Sequence, residues 1–325
     1  MIMQRTINCL LCGCDNLAIE DVLSGTQIQA LWRSMEIDLS PQACGSVTTE
    51  SAVHLYRCAS CGFRFHDPSL AGSAEFYEEL MSTRSYPGVT PEFAFALDFA
   101  NRNGLKRVLD IGGGEGHFLD LARNSGMETA GVELNRNASK TAADKGHRMF
   151  NKRMEEITPE ELDGGTDMLT LFQVVEHVPS PVSFVVDAAR LVRPGGYMVI
   201  AVPSERRMLG LLHYDPANWP PHHISRWRAK DLYRLGQRTD LSLIQQGSDP
   251  LQGRSIPWAF RHHNQLATAL GVRCLPCGKW FTKALAVAYR LLGCKHYLPC
   301  HGLSIYAVFR KSPESLISRG TSAVR

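Results

Sequence analysis

The segment Val108-Leu-Asp-Ile-Gly-Gly-Gly-Glu-Gly116 has the composition of a ligand-binding turn. Gly112, Gly114 and Gly116, placed after an apolar strand, let the backbone pass close to a ligand and then turn into a helix. A nicotinamide cofactor would want GxGxxG, but the position three after Gly114 is His117. Asp110, at the end of the strand, would also meet a pyrophosphate with like charge. A carboxylate there suits a cation, and S-adenosylmethionine carries both a sulfonium and an ammonium. Glu133 ends the next apolar run, 23 residues after Asp110, where a carboxylate can accept hydrogen bonds from both ribose hydroxyls.

Two Cys-x-x-Cys pairs, Cys9-Leu-Leu-Cys12 and Cys58-Ala-Ser-Cys61, are each followed by a glycine, Gly13 and Gly62. Four thiolates fill the tetrahedral shell of a structural Zn²⁺. The glycine tightens each knuckle so that backbone amides approach the sulfurs. The pairs stand 45 residues apart, so the segment between them must make its own excursion. Cys14 and Cys44 are surplus to the four ligands. Cys274, Cys277, Cys294 and Cys300 offer a second set nearer the C-terminus. The 16 residues between Cys277 and Cys294 include an apolar helical piece, and a continuous helix would hold its ends about 20 Å apart. A single ion would need that helix to break.

Were S-adenosylmethionine the ligand, methyl transfer to an oxygen, or to a carbon beside a carbonyl, would need a base, and two segments offer one. Gln173-Val-Val-Glu-His177 follows an apolar run at the carboxyl edge of the expected sheet, where open α/β sheets bind ligands. There Gln173 joins the cofactor-binding set, and Glu176 or His177 would contact substrate or a divalent metal. In Pro220-Pro-His-His-Ile-Ser-Arg-Trp227, two prolines stiffen the approach to His222 and His223. Neutral imidazole is a suitable base near pH 7, and the sequence does not distinguish the two rings. Holding loops together is the competing role for all four residues. Tyr77 and Tyr86 read either as a lid over the cofactor or as core aromatics.

These residues need a scaffold that gathers strand ends. Residues 107–111, 129–133, 148–150, 168–172 and 197–202 read as strands, separated by the helical HFLDLARNSG, NASKTAADKG and PVSFVVDAARLV. Such alternation predicts an α/β fold, a doubly wound and mostly parallel sheet with helices on both faces. Ahead of it, PEFAFALDFANRNG reads as an amphipathic helix closed by Gly104. Beyond it, SRWRAKDLYRLGQ reads as a helix capped by Ser225, followed by strands at 242–246 and 303–309. Residues 249–300 read as an insertion containing a helical KWFTKALAVAYRLLG. The expected organisation is a zinc-binding region over 1–70, an α/β domain over 71–311 and a flexible tail over 312–325.

Across 325 residues, 35 Lys plus Arg stand against 32 Asp plus Glu, a net charge of +3 that does not advertise a nucleic-acid or anionic-membrane partner. A hydrophobic share of 44% with 21% charged residues excludes a disordered or fibrous chain. The apolar stretches fall far short of the ~20 residues of a membrane helix. MIMQRTINCLLCGC lacks the pattern of a signal peptide. A cytoplasmic, reducing location is expected, which turns the ten cysteines away from a disulfide framework.

With these motifs assembled, the chain resembles the class I S-adenosylmethionine-dependent methyltransferases that carry an N-terminal zinc-binding region. The resemblance rests on both knuckles, CGFRFHDP, VLDIGGGEGHFL, GVELN, FQVVEHVPSP, LVRPGGYMVIAVP and PPHHISRW. It implies a Rossmann-like seven-stranded sheet whose final strand runs antiparallel. It implies that Asp110, Gly112 and Gly114 surround the methionine part of the cofactor, and Glu133 the ribose. The acceptor it implies is a small molecule, a sugar or a natural-product intermediate, methylated on oxygen or carbon. Two other functions compete: a nucleic-acid methyltransferase gripping RNA or DNA through the zinc region, and a non-catalytic scaffold. FQVVEH is not the Asp/Asn-Pro-Pro-aromatic signature that holds a flipped base, and the basic residues are scattered. The intact glycine loop and Glu133 argue against the scaffold. Oligomeric state is not legible from the sequence.

Overall fold

The computed structural model describes residues 7–84, 88–207, 212–250, 255–275 and 302–313, with a few isolated positions between 280 and 288. The chain begins with β1 (Leu17–Ser24), α1 (Gly25–Ser34), a short α2 (Pro41–Cys44), β2 (Ala52–Cys58), β3 (Arg64–Phe65) and α3 (Ala74–Thr83). The excursion between the knuckles is an antiparallel pair, β1 on β2, with Leu17 opposite Cys58 and Ser24 opposite Ala52. Ser24 and Gln27 form a reciprocal capping box that starts α1 directly at the end of β1.

Next come α4 (Pro91–Arg102), β4 (Arg107–Ile111), α5 (His117–Asn124), β5 (Glu128–Val132), α6 (Arg136–Asp144) and β6 (Arg148–Phe150). They are followed by β7 (Thr166–Phe172), α7 (Pro181–Ala189), β8 (Val192–Pro203), β9 (Ser225–Arg226), α8 (Ala229–Arg238), β10 (Leu241–Ser248), α9 (Ser255–Ala269) and β11 (Ser304–Lys311). Seven strands form one sheet in the order β10-β11-β8-β7-β4-β5-β6. The pairs from β8 to β6 are parallel, while β11 runs antiparallel to both β8 and β10. This is the expected mostly parallel α/β sheet with its antiparallel last strand. β7 is buried along its whole length, as a central strand covered on both faces must be. Strand order reverses at β4 and β7, which opens a crevice at their carboxyl ends.

Local expectations change in three places. β8 starts before the RPGG turn: Thr166 faces Val192 and Met168 faces Tyr197, so residues 193–196 bulge out of a strand that continues beyond them. Ser225 is not a helix cap. It lies in β9, which pairs antiparallel with β3, and α8 starts after Arg228, whose backbone and side chain both donate to Asp231. The insertion at 249–300 supplies α9, which packs against α1 and adds Leu266 to the cluster around Leu31 and Trp32. Most of KWFTKALAVAYRLLG, with Cys277, Cys294, Cys300, Tyr86 and the tail from 314, lies outside the described residues. Among the described residues no helix is long and apolar enough to cross a membrane.

Candidate functional site

β4 ends in a turn whose Gly112, Gly114 and Gly116 have φ of 77°, 52° and 82°. This is left-handed backbone that glycine adopts without a Cβ penalty. The amides of Gly112 and Gly113 donate to the Val132 carbonyl at 2.8 and 3.1 Å, closing the loop onto the end of β5. A Cβ on Gly112 would lie 2.7 Å from Val174 Cγ2, so the turn rests directly against the segment after β7. Gly116 is different: a Cβ there would meet Ala142 and His147 at 3.1 Å, so helix packing already demands a glycine.

Asp110 is buried beneath this turn and accepts a hydrogen bond from Thr170 Oγ1 at 2.7 Å. Burial pushes its carboxyl up to about 7, against the Thr170 hydrogen bond and helped by the Glu133 charge. Glu133 accepts from the Gly114 amide at 2.9 Å and the Asn135 amide at 2.7 Å, which ties the turn to the start of α6. Two carboxylates thus flank one glycine turn, an acceptor set that fits an ammonium and ribose hydroxyls. Gln173 turns elsewhere, donating through Nε2 to Glu92 Oε1 and Ser304 Oγ, both at 3.1 Å.

The ends of β7 and β8 bring Glu176, His177, His222 and His223 into one cluster. The amides of Ile224 and Ser225 donate to the Glu176 carbonyl at 2.8 and 3.2 Å, joining the two segments. His222 and His223 stack with ring centroids 4.5 Å apart, and His177 stands edge-on to them at 4.7 and 4.8 Å. Glu176 is 1% exposed, and its Oε1 lies 3.8 Å from His177 Nε2 and 4.0 Å from His223 Nε2. Burial pushes the Glu176 carboxyl up to about 8 and holds His177 down to about 4. Burial and neighbouring histidines likewise hold His222 and His223 well below their ordinary value. Near neutral pH all three rings are therefore uncharged and keep a lone pair for a proton or a ligand. Tyr77, from α3, lies edge-on to His177 at 5.6 Å and donates to the His222 carbonyl at 3.3 Å. It buttresses the cluster.

Sequence reasoning missed several buried charges, among them Glu92, Arg207 and Arg226. The two arginines line a cavity of about 310 Å³ together with His223, Ser204 and Asn218. Arg207 donates to Asn218 Oδ1 at 2.6 Å, and Arg226 to the Asn218 carbonyl at 3.3 Å. In the sequence they sit in ERR and SRWRAK among other basic residues, and no spacing marks them as buried. Glu92 reads there as an ordinary first-turn acid of a helix.

Cys9, Cys12, Cys58 and Cys61 converge, with all four sulfurs within 4.8 Å of one another. Cys9 and Cys61 sulfurs are 3.6 Å apart, and Cys12 and Cys58 sulfurs 3.5 Å. Zinc–sulfur bonds of about 2.3 Å would place tetrahedral sulfurs roughly 3.8 Å apart, so the donor set is compatible with zinc. Gly13 and Gly62 donate to the Cys9 and Cys58 carbonyls at 2.8 Å, and the Phe63 amide reaches Cys61 Sγ at 3.4 Å. Cys14 contacts Ser60 Oγ at 2.9 Å instead, and Cys44 is buried apart from the cluster. Arg228 and Arg234 donate to the Gly62 and Cys61 carbonyls, fastening the second knuckle to α8.

Residues 84–246, just over half of the 325, match the family model of a methyltransferase domain. The chain belongs to that family. Its α/β sheet is thus that of a class I S-adenosylmethionine-dependent methyltransferase domain. A ubiquinone biosynthesis O-methyltransferase of Alkalilimnicola ehrlichii is 30% identical over 154 residues, 39% of this chain and 60% of that protein. One from Aromatoleum aromaticum is 36% identical over 108 residues, 31% of this chain and 46% of that protein. The chain therefore spans about half the length of the curated relatives it matches. Among solved structures, a SAM dependent methyltransferase from Archaeoglobus fulgidus is similar at a TM-score of 0.46 and 15% identity, covering 73% of this chain and all 100% of that one. Magnesium protoporphyrin IX methyltransferase from Synechocystis, with bound SAH, is similar at 0.44 and 10% identity, covering 74% of this chain and 95% of that one.

Proposed function

We propose that the chain transfers the methyl group of S-adenosylmethionine to an oxygen of a small-molecule acceptor held between the glycine turn and the histidine cluster. The observation that carries this reading is the convergence of Glu176, His177, His222 and His223 beyond the end of β7, the strand beside β4, whose following turn Asp110 and Glu133 flank. Relatives named as O-methyltransferases of ubiquinone biosynthesis support a small acceptor and transfer to oxygen rather than carbon. The donor supplies an electrophilic methyl on a sulfonium. Asp110 holds its ammonium, Glu133 its ribose, and Gly112 and Gly114 let the backbone approach. Positioning provides much of the rate of an in-line displacement. The acceptor's proton leaves at the histidine cluster, whose His223 also lines the Arg207–Arg226 cavity. The four cysteines hold one structural zinc within the region over 1–70, and the transferase domain runs over 71–311. A cytoplasmic setting keeps those thiols reduced.

Calorimetric titration tests the donor site. Micromolar affinity is expected, about −8 kcal/mol. Asp110→Ala and Glu133→Ala should each weaken binding by about tenfold or more, because each leaves ligand donors without an acceptor. No binding to the wild type, or preferred binding of NAD, rejects the assignment.

Asp110 also gives the binding a pH dependence of known sign. Its carboxyl lies up at about 7, above the ordinary 3.8, so the empty fold favours the protonated form and loses stability as pH rises through that window. An ammonium needs the ionised form. Affinity should therefore fall roughly tenfold per pH unit below about 7, and Asp110→Asn should flatten that slope. A wild-type affinity unchanged between pH 7.5 and 5.5 would remove Asp110 from the ammonium site. Steep salt dependence of RNA or DNA binding would favour a nucleic-acid acceptor instead.

A further inference from the structure

We propose that His177, His222, His223 and Glu176 bind one divalent transition-metal ion, separate from the cysteine site. Its role rests on the methyl-transfer reading above; its binding does not.

Among the described residues, two groups of side chains bring metal-ligating atoms together: the four cysteines, and His177 with His222 and His223, whose ligand atoms lie within 4.8 Å of one another. The hydrogen bonds on the far sides of two rings are those of metal-ligating histidines. His177 Nδ1 donates to the His222 carbonyl at 2.8 Å, and His222 Nδ1 is 3.3 Å from the Ala217 carbonyl. Each bond fixes a neutral tautomer with its Nε2 lone pair directed away from that carbonyl, the arrangement that orients imidazole on a metal.

Glu176 is the independent observation. Both its carboxylate oxygens are buried and without a hydrogen-bond partner. Its ion-pair neighbours within 4.0 Å are the ring nitrogens of His177 and His223, and among the described residues no Lys or Arg comes that close. A buried carboxylate without a donor is costly: the Nε2 lone pair of His177 offers it none, and His223 Nε2 at 4.0 Å stands beyond hydrogen-bond reach. A divalent cation satisfies carboxylate and lone pairs together. Metal–nitrogen bonds of about 2.0–2.1 Å place neighbouring ligand atoms roughly 3.0–3.4 Å apart, so the cluster closes with shifts of about 1 Å or less. Three imidazoles and one carboxylate select zinc, iron, manganese, cobalt or nickel over magnesium and calcium, which prefer oxygen shells.

At this ion an acceptor hydroxyl would lose its proton to water at neutral pH. The oxygen's lone pair forms the new O–CH₃ bond, the C–S pair stays on sulfur as a neutral thioether, and the ion keeps its oxidation state.

The test is titration of the metal-depleted full chain with Co²⁺, followed by absorbance. Thiolate ligation gives intense sulfur-to-metal charge transfer, whereas nitrogen and oxygen ligation gives only weak d–d bands. Two equivalents are expected, one of each kind. Cys58→Ser should lose the first, while Glu176→Gln and the His222→Ala, His223→Ala double variant should lose or weaken only the second. Saturation at one equivalent with the thiolate signature, or unchanged second uptake in both cluster variants, overturns the proposal. Glu176→Gln keeps the side-chain shape, so its result stands if the double variant fails to fold. Calorimetry with S-adenosylmethionine separates the two ideas. Donor binding without the second Co²⁺ sinks only the metal site, and the second Co²⁺ without donor binding sinks only the methyl-transfer reading.

Discussion

Replacing His222 and His223 together by Ala is expected to lower turnover on the true acceptor by about 10²–10⁴-fold, the range for losing proton removal in a transfer step. Affinity for S-adenosylmethionine should hardly change. Donor contacts are assigned to the ends of β4 and β5, whereas these rings sit on the loop after β8 and meet Glu176 and His177 across the end of β7. The pairing of lost turnover with retained donor binding separates chemistry from collapse. That control matters because the His222 ring also packs against Trp32 at 6.0 Å and Phe76 at 6.0 Å, so truncation opens a void between the layers. A double variant with wild-type turnover would move proton removal away from this loop.

The second large effect is expected at the cysteines. Structural zinc sites in small domains contribute about 10–16 kcal/mol of apparent binding free energy, so losing a thiolate weakens the local fold far more than an ordinary core substitution. Cys58→Ser should lower bound zinc by about one ion per chain and expose the amides of β1, β2 and β3 to exchange. The seven-stranded sheet should persist and still bind the donor. Its inner strands are buried by their own helices, and the knuckle reaches it through Phe63, Phe65, Trp227, Arg228 and Arg234. Elemental analysis with hydrogen exchange decides it, and a zinc-free wild type that is fully folded would reject the zinc assignment.

What was legible in the sequence follows from burial. β4, β5, β7 and β8 are covered on both faces and read as short apolar runs bounded by glycine or polar turns. β1 is half exposed and reads LAIEDVLS, with no two-residue period to announce it. β3 and β9 are two residues each, too short to carry any period; β3 is held between β2 and β9, and β9 pairs with β3. α9 lies inside the 249–300 insertion, and α1 and its neighbours complete its apolar surface. The site shows the same division. The glycine turn, Asp110 and Glu133 form a local pattern on successive strand ends, and so do the knuckles. The histidine cluster was legible only as two separate halves, because the bonds from Ile224 and Ser225 to the Glu176 carbonyl that unite them are tertiary. Gln173 carried a positional expectation, yet its side chain answers to Glu92 and Ser304.

The β3–β9 pairing has a consequence for how the chain comes to be folded. Arg64 lies opposite Arg226 and Phe65 opposite Ser225, partners about 160 residues apart. Chain synthesis runs from the N-terminus, so the knuckles and the β1–β2 pair emerge long before the strand that completes their sheet. Until residue 226 has left the ribosome, the outer edge of β3 stays open and Phe65 lacks part of its cover. Contacts of this sequence separation are slow to form, because the closure entropy of the intervening loop opposes them until most of that loop is ordered. The loop carrying His222 and His223 ends at β9 and is anchored by it. The chemistry at this edge therefore becomes competent late, after the cysteine region and the strands from β4 to β8 have been made.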